Sequence, residues 1–374
     1  MRATRLDESL FAELAKRSGQ DLISTFIPTH EKGRQVAQDR IHLKNQLSSA
    51  EERLADLGYK PRDREERLEA ARELLDDREF WEHQSAGLAV FVDEDGSVDA
   101  VSSTRPMEPH ALVMPVFMVR PLVADLDSLA APVLALTKDA VALFTADASG
   151  VFPMDVELPS YGDVNWFVDR EKQRQQHPDH AGTERSRHGH EPSARADEDL
   201  ARFLREVDSA LSDFETKTPL IVLGDDDVVS RFSNHSERAT LSPPNSGITA
   251  PFAVDEMHRI VRESLAELEE QRVDAVIAEA VDRLGEGRAT AEIEEALPAA
   301  VTGRVESIVM QLGSQPVWGR LDRSTLEVEA HDSHQPGDVD LLDRLVVWAR
   351  DNGASLTSAD MPIDSRPFVA TFRY

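Results

Sequence analysis

The sequence predicts a mixed α/β protein with more than one domain. Its 374 residues suggest two or three domains, at the usual ~100 to 200 residues each. Hydrophobic residues make up 40% of the chain, which is enough for packed cores. Short apolar runs typical of strands alternate with segments of helical apolar period along most of the chain. Each domain should therefore contain both strands and helices.

Residues 1–84 predict a unit of one strand and several helices. Apolar residues at helical spacing predict a helix over 6–18, and the apolar run at 21–30 is typical of a buried strand. A single apolar stripe predicts a long helix over 34–57. The following segment, 63–80, is rich in oppositely charged pairs three and four residues apart, which favours another helix.

Residues 85–240 predict a strand-rich middle domain. Two alternating apolar runs around an Asp-Gly turn predict a hairpin over 87–101. Further strands are predicted at 111–119, twice within 132–147 and at 219–224, and helices at 122–130, 197–214 and 226–232. Residues 161–196 form a long loop in this interpretation, because 170–195 has no hydrophobic period.

The C-terminal part begins after a stretch rich in Ser, Asn, Pro and Gly at 234–251, which is typical of a linker or surface loop. Residues 252–374 then predict a third, α/β domain. Its helices are predicted at 254–284, 289–300 and 339–353, and its strands at 304–311, 319–329 and 367–374.

Composition limits the possible partners. Seventy acidic against 41 basic residues give a net charge of −29, so the chain as a whole repels phosphate backbones and anionic membranes. Any contact with nucleic acid must be local, and we expect no binding to DNA or membranes. The absence of cysteine excludes disulfides, thiolate metal sites and cysteine nucleophiles. No apolar run reaches the ~18 residues of a membrane span, and a cytoplasmic location is expected.

The predicted loop is locally basic. Residues 170–195 contain six basic and four acidic side chains in an otherwise acidic sequence. Its basic residues are Arg170, Lys172, Arg174, Arg185, Arg187 and Arg195, and we expect His188, Gly189 and His190 to lie near the tip of the loop. Arginine forks can bind RNA phosphates and riboses, which makes this loop a candidate RNA-binding segment. A solvated connector without a ligand explains the same composition, and the sequence leaves both interpretations open.

Three other patterns have weaker functional interpretations. His177 with His180, and His188 with His190, could bind zinc, but their spacing is unspecific, and we expect no metal or cofactor. The acidic residues at 225–227 follow a predicted strand, where they could hold Mg²⁺ but more simply begin a helix. The segment 25–30 with the basic residues after it could bind an anion, although a solvated helix start is favoured. The sequence motifs of P-loop NTPases, dinucleotide-binding folds, serine hydrolases and zinc proteases do not occur.

Several strings resemble the bacterial members of the archaeo-eukaryotic class-1 release factor superfamily, which is related to Pelota-type ribosome rescue factors. They are FIPTH and QDRIHLKNQL within 25–47, PVLALTKDAVALF at 132–144, HGH at 188–190 with the helix that follows, PLIVLGDDDVVSRF at 219–232, AVTGRVESIVM at 300–310 and FVATFRY at 368–374. The resemblance implies an RNase H-like middle domain and a C-terminal α/β sandwich similar to a ribosomal-protein fold. It also places the loop 161–196 where the family's release factors present Gly-Gly-Gln to peptidyl-tRNA.

The resemblance implies a translation-associated factor that engages the ribosome or a tRNA acceptor end. Gly-Gly-Gln is absent from this sequence, and Gln173, Gln175 and Gln176 lack flanking glycines, so they are weak candidates for positioning water. A peptidyl-tRNA or RNA hydrolase and an acidic protein-interaction module without catalysis stay as alternatives. The sequence does not indicate the oligomeric state.

Overall fold

The computed structural model describes residues 2–30, 36–137, 140–159, 192–212, 218–244, 246–249 and 251–374. The helices are α1 (Glu8–Lys16), α2 (Val36–Asp56), α3 (Pro61–Glu73), α4 (Arg78–Trp81), α5 (Val123–Leu126), α6 (Pro192–Ala210), α7 (Asp226–His235), α8 (Val254–Gly285), α9 (Ile293–Val301) and α10 (Leu341–Asp351). The strands are β1 (Thr4–Arg5), β2 (Ser18–Pro28), β3 (Gly87–Val92), β4 (Val98–Ser103), β5 (His110–Val116), β6 (Ala131–Leu136), β7 (Val141–Asp147), β8 (Gly150–Pro153), β9 (Leu220–Gly224), β10 (Thr240–Leu241), β11 (Ala289–Thr290), β12 (Val305–Gln311), β13 (Trp318–Leu321), β14 (Val328–His331), β15 (Val339–Asp340), β16 (Ser355–Ala359) and β17 (Phe368–Phe372).

The chain forms two compact units. One unit contains residues 1–128 together with 271–374, and the other contains residues 129–270. The mixed α/β, multidomain fold class predicted from the sequence is confirmed. The three-domain division at 1–84, 85–240 and 252–374 stays a prediction.

The N-terminal part of the first unit is a five-stranded sheet in the order β1-β4-β3-β2-β5. Its long strands pair antiparallel, and β1 adds to the edge in parallel with β4. Helices α2 and α3 cover one face, where Leu43, Leu47, Leu54 and Leu68 are buried against the sheet. These leucines belong to the apolar helical stripes in the sequence, which explains why these segments are helices rather than loops.

The C-terminal part of the same unit has a four-stranded sheet in the order β11-β17-β12-β16 and a small sheet in the order β14-β13-β15. Strands β12 and β16 are parallel and lie on either side of α10 in the chain, as a parallel connection requires. A single hydrophobic core contains residues from both ends of the chain, including Phe26, Phe91 and Phe117 together with Leu342 and Phe368. The N- and C-terminal segments of this unit are therefore packed together.

Buried charges add to this packing at the start of α10. Asp343 accepts hydrogen bonds at 2.7 Å from the backbone N–H groups of both Val119 and Arg120, and it also pairs with Arg344. The Arg344 guanidinium donates to the Phe117 carbonyl at 3.1 Å. Because each of these charged groups is almost fully buried, they stabilise the unit only while every partner is in place.

Asp340 forms the second buried pair at this point, with Arg120 at 3.0 Å. Burial raises the pKa of the Asp340 carboxyl, and the positive charge of Arg120 opposes that shift. The other Asp340 oxygen accepts from the N–H groups of Val317 and Leu342, both at 3.1 Å. Asp340 therefore caps α10 and also binds Arg120, which comes from the N-terminal part of this unit.

The second unit has a five-stranded sheet in the order β10-β9-β6-β7-β8. Strands β6, β7 and β8 pair antiparallel, whereas β6, β9 and β10 pair in parallel. Helices α6 and α7 pack on one face through Phe203, Leu204 and Phe232. Residues of α8, including Met257 and Val261, are buried on the other face. A sheet covered by helices on both faces explains why β6 and β9 are apolar along their whole length.

A buried carboxylate organises the turn after β14. Asp338 is fully buried, and it accepts from the Nδ1 atom of His331 at 2.8 Å, from the backbone N–H of Gln335 at 2.9 Å and from the Nε atom of Arg320 at 3.1 Å. The pKa of His331 is raised by its hydrogen bonds to Asp338 and to Glu329. Burial alone would raise the pKa of Asp338, but these donors lower it.

This arrangement predicts a pH dependence of stability. A raised native pKa means that the folded chain holds the His331 proton more tightly than the unfolded chain, whose imidazole pKa is about 6.5. The stabilisation is therefore complete below about pH 6.5 and is lost as the pH rises through the higher native value. We expect the melting temperature of the parent chain to fall relative to that of His331→Gln between pH 6 and pH 9.

His334 provides a control, because its pKa is shifted in the opposite direction to that of His331. Burial lowers the pKa of His334, whose ring contacts Trp318 at a centroid distance of 4.6 Å. The parent chain should therefore gain stability relative to His334→Gln as the pH rises through this range. Parallel melting curves for the parent and His331→Gln from pH 6 to pH 9 would contradict the proposed role of His331.

Candidate functional site

Most of the side chains that the sequence singles out lie outside the described residues. They are Arg170, Lys172, Arg174, Arg185, Arg187, His188, Gly189, His190 and the candidates Gln173, Gln175 and Gln176, together with His177 and His180. Arg195 is the exception, because its backbone belongs to helix α6. The final residues of the predicted loop, 192–196, are thus helical, and α6 begins at Pro192 rather than at Asp197. Proline fits the first helical position, since its missing N–H has no partner there in any case.

Well-packed elements of secondary structure precede and follow the basic segment in the sequence. Before it, β8 pairs with β7, and the Met154 N–H donates to the Leu143 carbonyl at 3.0 Å. Met154, Val156 and Leu158 are half-buried and pack against the same hydrophobic cluster as helix α6. After it, α6 contributes apolar side chains to that cluster at helical spacing: Leu200, Phe203, Leu204, Val207 and Leu211. Both flanks of the basic segment are therefore attached to one face of one sheet.

The C-terminal end of α6 is fixed by polar contacts. The hydroxyl of Ser236 donates to Asp208 at 2.7 Å, and the Arg238 guanidinium lies 3.7 Å from the same carboxylate. Arg238 also donates to the Leu211 carbonyl at the end of the helix. Cations and donors at a helix C-terminus satisfy carbonyls that have no partner within the helix. These contacts hold α6 against the segment that follows α7.

The acidic residues after β9 begin helix α7. Asp225 is the N-cap residue, and Asp226 and Asp227 lie in the first turn, where negative charge interacts favourably with the helix dipole. Asp227 also pairs with Arg231, one turn later, at 3.1 Å. Across the described parts of the chain, no group of three or more histidines and acidic residues is arranged to hold a metal ion. The structure thus supports the helix-start interpretation of this motif.

The junction between β2 and α2 contains a buried carboxylate. Asp39 is fully buried and accepts from both the backbone N–H and the Nδ1 atom of His30, at 2.9 and 2.8 Å. Arg40 lies 6.0 Å from the Trp81 ring, and Lys44 is exposed. Arg34 lies outside the described residues. A negative charge at this junction disfavours the alternative that it binds an anion.

A comparison with protein families finds a match to the middle of the chain. Residues 132–304, from β6 to α9, match the family model for bacterial archaeo-eukaryotic release factor family 3. This part of the chain is similar to the bacterial archaeo-eukaryotic release factors. The resemblance noted in the sequence is thereby confirmed. The matched stretch includes the whole basic segment together with its flanking elements β8 and α6. No curated protein matches the chain.

Three solved structures are similar to the chain at low sequence identity. The archaeal translation termination factor aRF1 is 14% identical, with 98% of this chain and 96% of that chain covered and a TM-score of 0.24. Pelota from Archaeoglobus fulgidus is 11% identical, with 77% and 79% covered and a TM-score of 0.33. A model of ribosome-bound archaeal Pelota and ABCE1 is 9% identical, with 100% and 95% covered and a TM-score of 0.36. Because these TM-scores are below 0.5, the fold described above rests on this chain's own elements.

Proposed function

We propose that this chain is a translation factor that engages the ribosome or the acceptor end of a tRNA through the basic segment between β8 and α6. One observation carries the proposal: the match to the release factor family covers 132–304 and so includes this segment and both of its flanks. The segment also has a local excess of basic side chains in a chain of net charge −29. An RNA partner is attracted to such a segment and repelled by the rest of the chain.

The sheet order of the second unit supports an RNase H-like middle domain as part of this proposal. Counted from β6 as the first strand, the order across the sheet is 3-2-1-4-5, with strands 1 to 3 antiparallel and strands 1, 4 and 5 parallel. The sheets of the C-terminal part are compatible with the proposed ribosomal-protein-like sandwich at 252–374. No helix in the described ranges is both long and apolar enough to cross a bilayer. A cytoplasmic location is part of the proposal, since ribosomes act there.

We do not extend the proposal to peptidyl-tRNA hydrolysis. Release factors of the superfamily carry Gly-Gly-Gln at the corresponding place, and this sequence has no such motif. The glutamines of the segment lack the adjacent glycines whose flexibility would let the backbone position a water molecule. Association with the ribosome is therefore proposed without a reaction.

Charge reversal within the segment tests the proposed contact. We expect replacement of Arg170, Lys172, Arg174, Arg185 and Arg187 by glutamate to weaken binding to purified bacterial ribosomes by roughly tenfold or more, because each contact to a phosphate is lost. Co-sedimentation over a series of salt concentrations measures the effect. For the parent chain, binding should fall steeply as the salt concentration rises.

A matched variant controls for net charge. Lys44, Lys60, Arg62, Arg259 and Arg262 are exposed, and reversing these five to glutamate changes the net charge by the same amount. We expect this control to lose much less ribosome binding than the segment variant, provided that both retain the parent's circular dichroism spectrum. Equal losses in the two variants would show that net charge, and not the segment, determines binding.

A further inference from the structure

The first unit contains a cavity of about 960 Å³ that the release-factor proposal does not use. Ligand pockets for small molecules commonly measure about 300 to 1,000 Å³. Most of the wall comes from four places: the β4–β5 connection with the start of β5, residues 118–124, the end of β12 with residues 312–316, and strand β16. Arg53, Trp318 and Val346 line it as well. These segments are far apart in the sequence, so the cavity depends on the packing of the two ends of the chain within this unit.

The interior walls are apolar and rich in methionine. Met107, Met118 and Met310 line the cavity together with Leu112 and Leu356, and each of the five is less than a tenth exposed. Methionine side chains are unbranched and adapt to irregular or flexible partners better than branched ones. Such walls suit a flexible apolar chain more than a rigid polar ligand.

The charged side chains at the cavity differ in whether they already have partners. Arg120 pairs with the buried Asp340 at 3.0 Å, and Arg105 lies 3.5 Å from Asp360. Arg53, on α2, lines the same cavity, and its guanidinium makes no ion pair or hydrogen bond with the described residues. Arg53 is therefore the cation at this cavity that is available to an incoming anion.

Two further groups at the cavity bear on its charge. Glu108 lines the cavity and is exposed to solvent, and the His110 ring next to it donates from Nδ1 to the Glu108 carbonyl at 2.8 Å. Burial lowers the pKa of His110, the hydrogen bond to that carbonyl opposes the shift, and the charges of Arg120 and Arg53 lower the pKa further. His110 is thus neutral at pH 7, and Arg53 provides the positive charge there. The charged side chains that line the cavity are three arginines, Arg53, Arg105 and Arg120, and two acidic residues, Glu108 and Asp360.

From the size of the cavity, its apolar walls and the available guanidinium of Arg53, we propose that the first unit binds a medium-chain acyl carboxylate. The acyl chain lies against the methionine and leucine side chains, and the carboxylate meets Arg53 at the opening. Burial of an alkyl chain supplies most of the affinity, at about 0.8 kcal/mol for each CH₂ group. The ion pair with Arg53 selects the acid over an uncharged chain of the same length.

Calorimetric titration of the full chain with octanoate, and with octan-1-ol for comparison, tests this proposal at pH 7.4. We expect saturable binding of octanoate and weaker binding of the alcohol. Arg53→Met should weaken octanoate binding by about fivefold, the factor typical of an exposed ion pair, and should leave octan-1-ol binding unchanged. Arg62→Met, at an exposed arginine that does not line the cavity, should bind octanoate like the parent.

A cavity-filling variant tests the location of the bound chain independently. Ser358 lines the cavity, and Ser358→Phe should abolish binding of both octanoate and octan-1-ol if the variant keeps the parent's circular dichroism spectrum. If that variant does not fold, the Arg53→Met comparison alone decides the proposal. Absence of saturable octanoate binding to the parent chain would overturn it. Equal octanoate affinities for the parent and Arg53→Met would overturn it as well.

Discussion

Replacement of Asp343 by alanine is expected to lower the free energy of unfolding by about 3 to 5 kcal/mol, the cost of breaking a buried charge pair. The carboxylate accepts two backbone hydrogen bonds at 2.7 Å from residues 119 and 120 and holds the buried guanidinium of Arg344. Alanine would leave that guanidinium and both N–H groups without this partner in the interior. Urea denaturation followed by circular dichroism measures the change.

Two further variants distinguish this effect from a general effect on helix α10. Asp351→Ala changes an exposed aspartate at the end of the same helix, and we expect it to alter the free energy of unfolding by less than about 0.5 kcal/mol. Asp343→Asn keeps an oxygen acceptor for the backbone but removes the charge. Its loss in the free energy of unfolding should therefore lie between the losses of the two alanine variants. If Asp343→Ala and Asp351→Ala unfold at the same urea concentration, Asp343 does not stabilise the packing between the two ends of the chain.

Substitution of Gly224 by alanine is expected to be comparably severe, with a loss of about 3 kcal/mol or more in the free energy of unfolding. Gly224 ends β9 with a φ of +148°, in a region of backbone conformation that residues with a side chain rarely adopt. A Cβ atom there would lie 1.6 Å from the carbonyl oxygen of Leu136 on the neighbouring strand β6. Backbone atoms cannot move aside as a flexible side chain can, so the pairing of β6 with β9 must distort.

Gly247 offers a matched control in the same unit. A Cβ atom at that position meets no atom within 4 Å. Gly247→Ala should therefore change the free energy of unfolding by less than about 1 kcal/mol and could raise it slightly, because alanine restricts the unfolded chain. Thermal denaturation of both variants, followed at the same wavelength, gives the comparison. A Gly224→Ala protein as stable as the parent would show that the close approach to Leu136 does not constrain this position.

Segments with a strong apolar period could be predicted from the sequence. Helix α8 was expected over 254–284 and occupies Val254–Gly285, and the hairpin expected over 87–101 is formed by β3 and β4. Strand β16 could not be predicted, because its sequence SLTSA mixes hydroxyl and small residues without clear alternation. Its last four residues are nevertheless buried between neighbouring elements. The short edge strands β8 and β10 form because they pair with β7 and β9. Such short strands carry too few residues to show a clear apolar pattern in the sequence.

The buried charges were equally hidden in the sequence. Asp343 and Arg344 lie at the start of an amphipathic helix, where an acidic residue normally faces solvent and favours the dipole. Only the packing of residues more than 200 positions apart places them in the interior. The same reason explains why the cavity lined by Arg53 and Met310 could not be foreseen, since its walls meet through the tertiary fold.

The basic segment between β8 and α6 shows the opposite pattern. Its composition was the clearest functional signal in the sequence, and the family match covers it completely. Its proposed role depends on its charge and on the elements that flank it, and the charge can be read directly from the sequence. The sequence predicts the flanks less accurately, because α6 begins at Pro192 and so includes five residues, 192–196, of the predicted loop.

Binding of the ribosome by the basic segment between β8 and α6 can be measured in a single titration. The parent chain and the variant with five reversals at 170–187 are each mixed with increasing amounts of purified ribosomes at low salt, and the bound fraction is measured after sedimentation. We predict saturable binding of the parent that weakens as salt is added, and at least about tenfold weaker binding of the variant. Parent protein that stays in the supernatant at every ribosome concentration, or a variant that sediments as well as the parent, would contradict the claim.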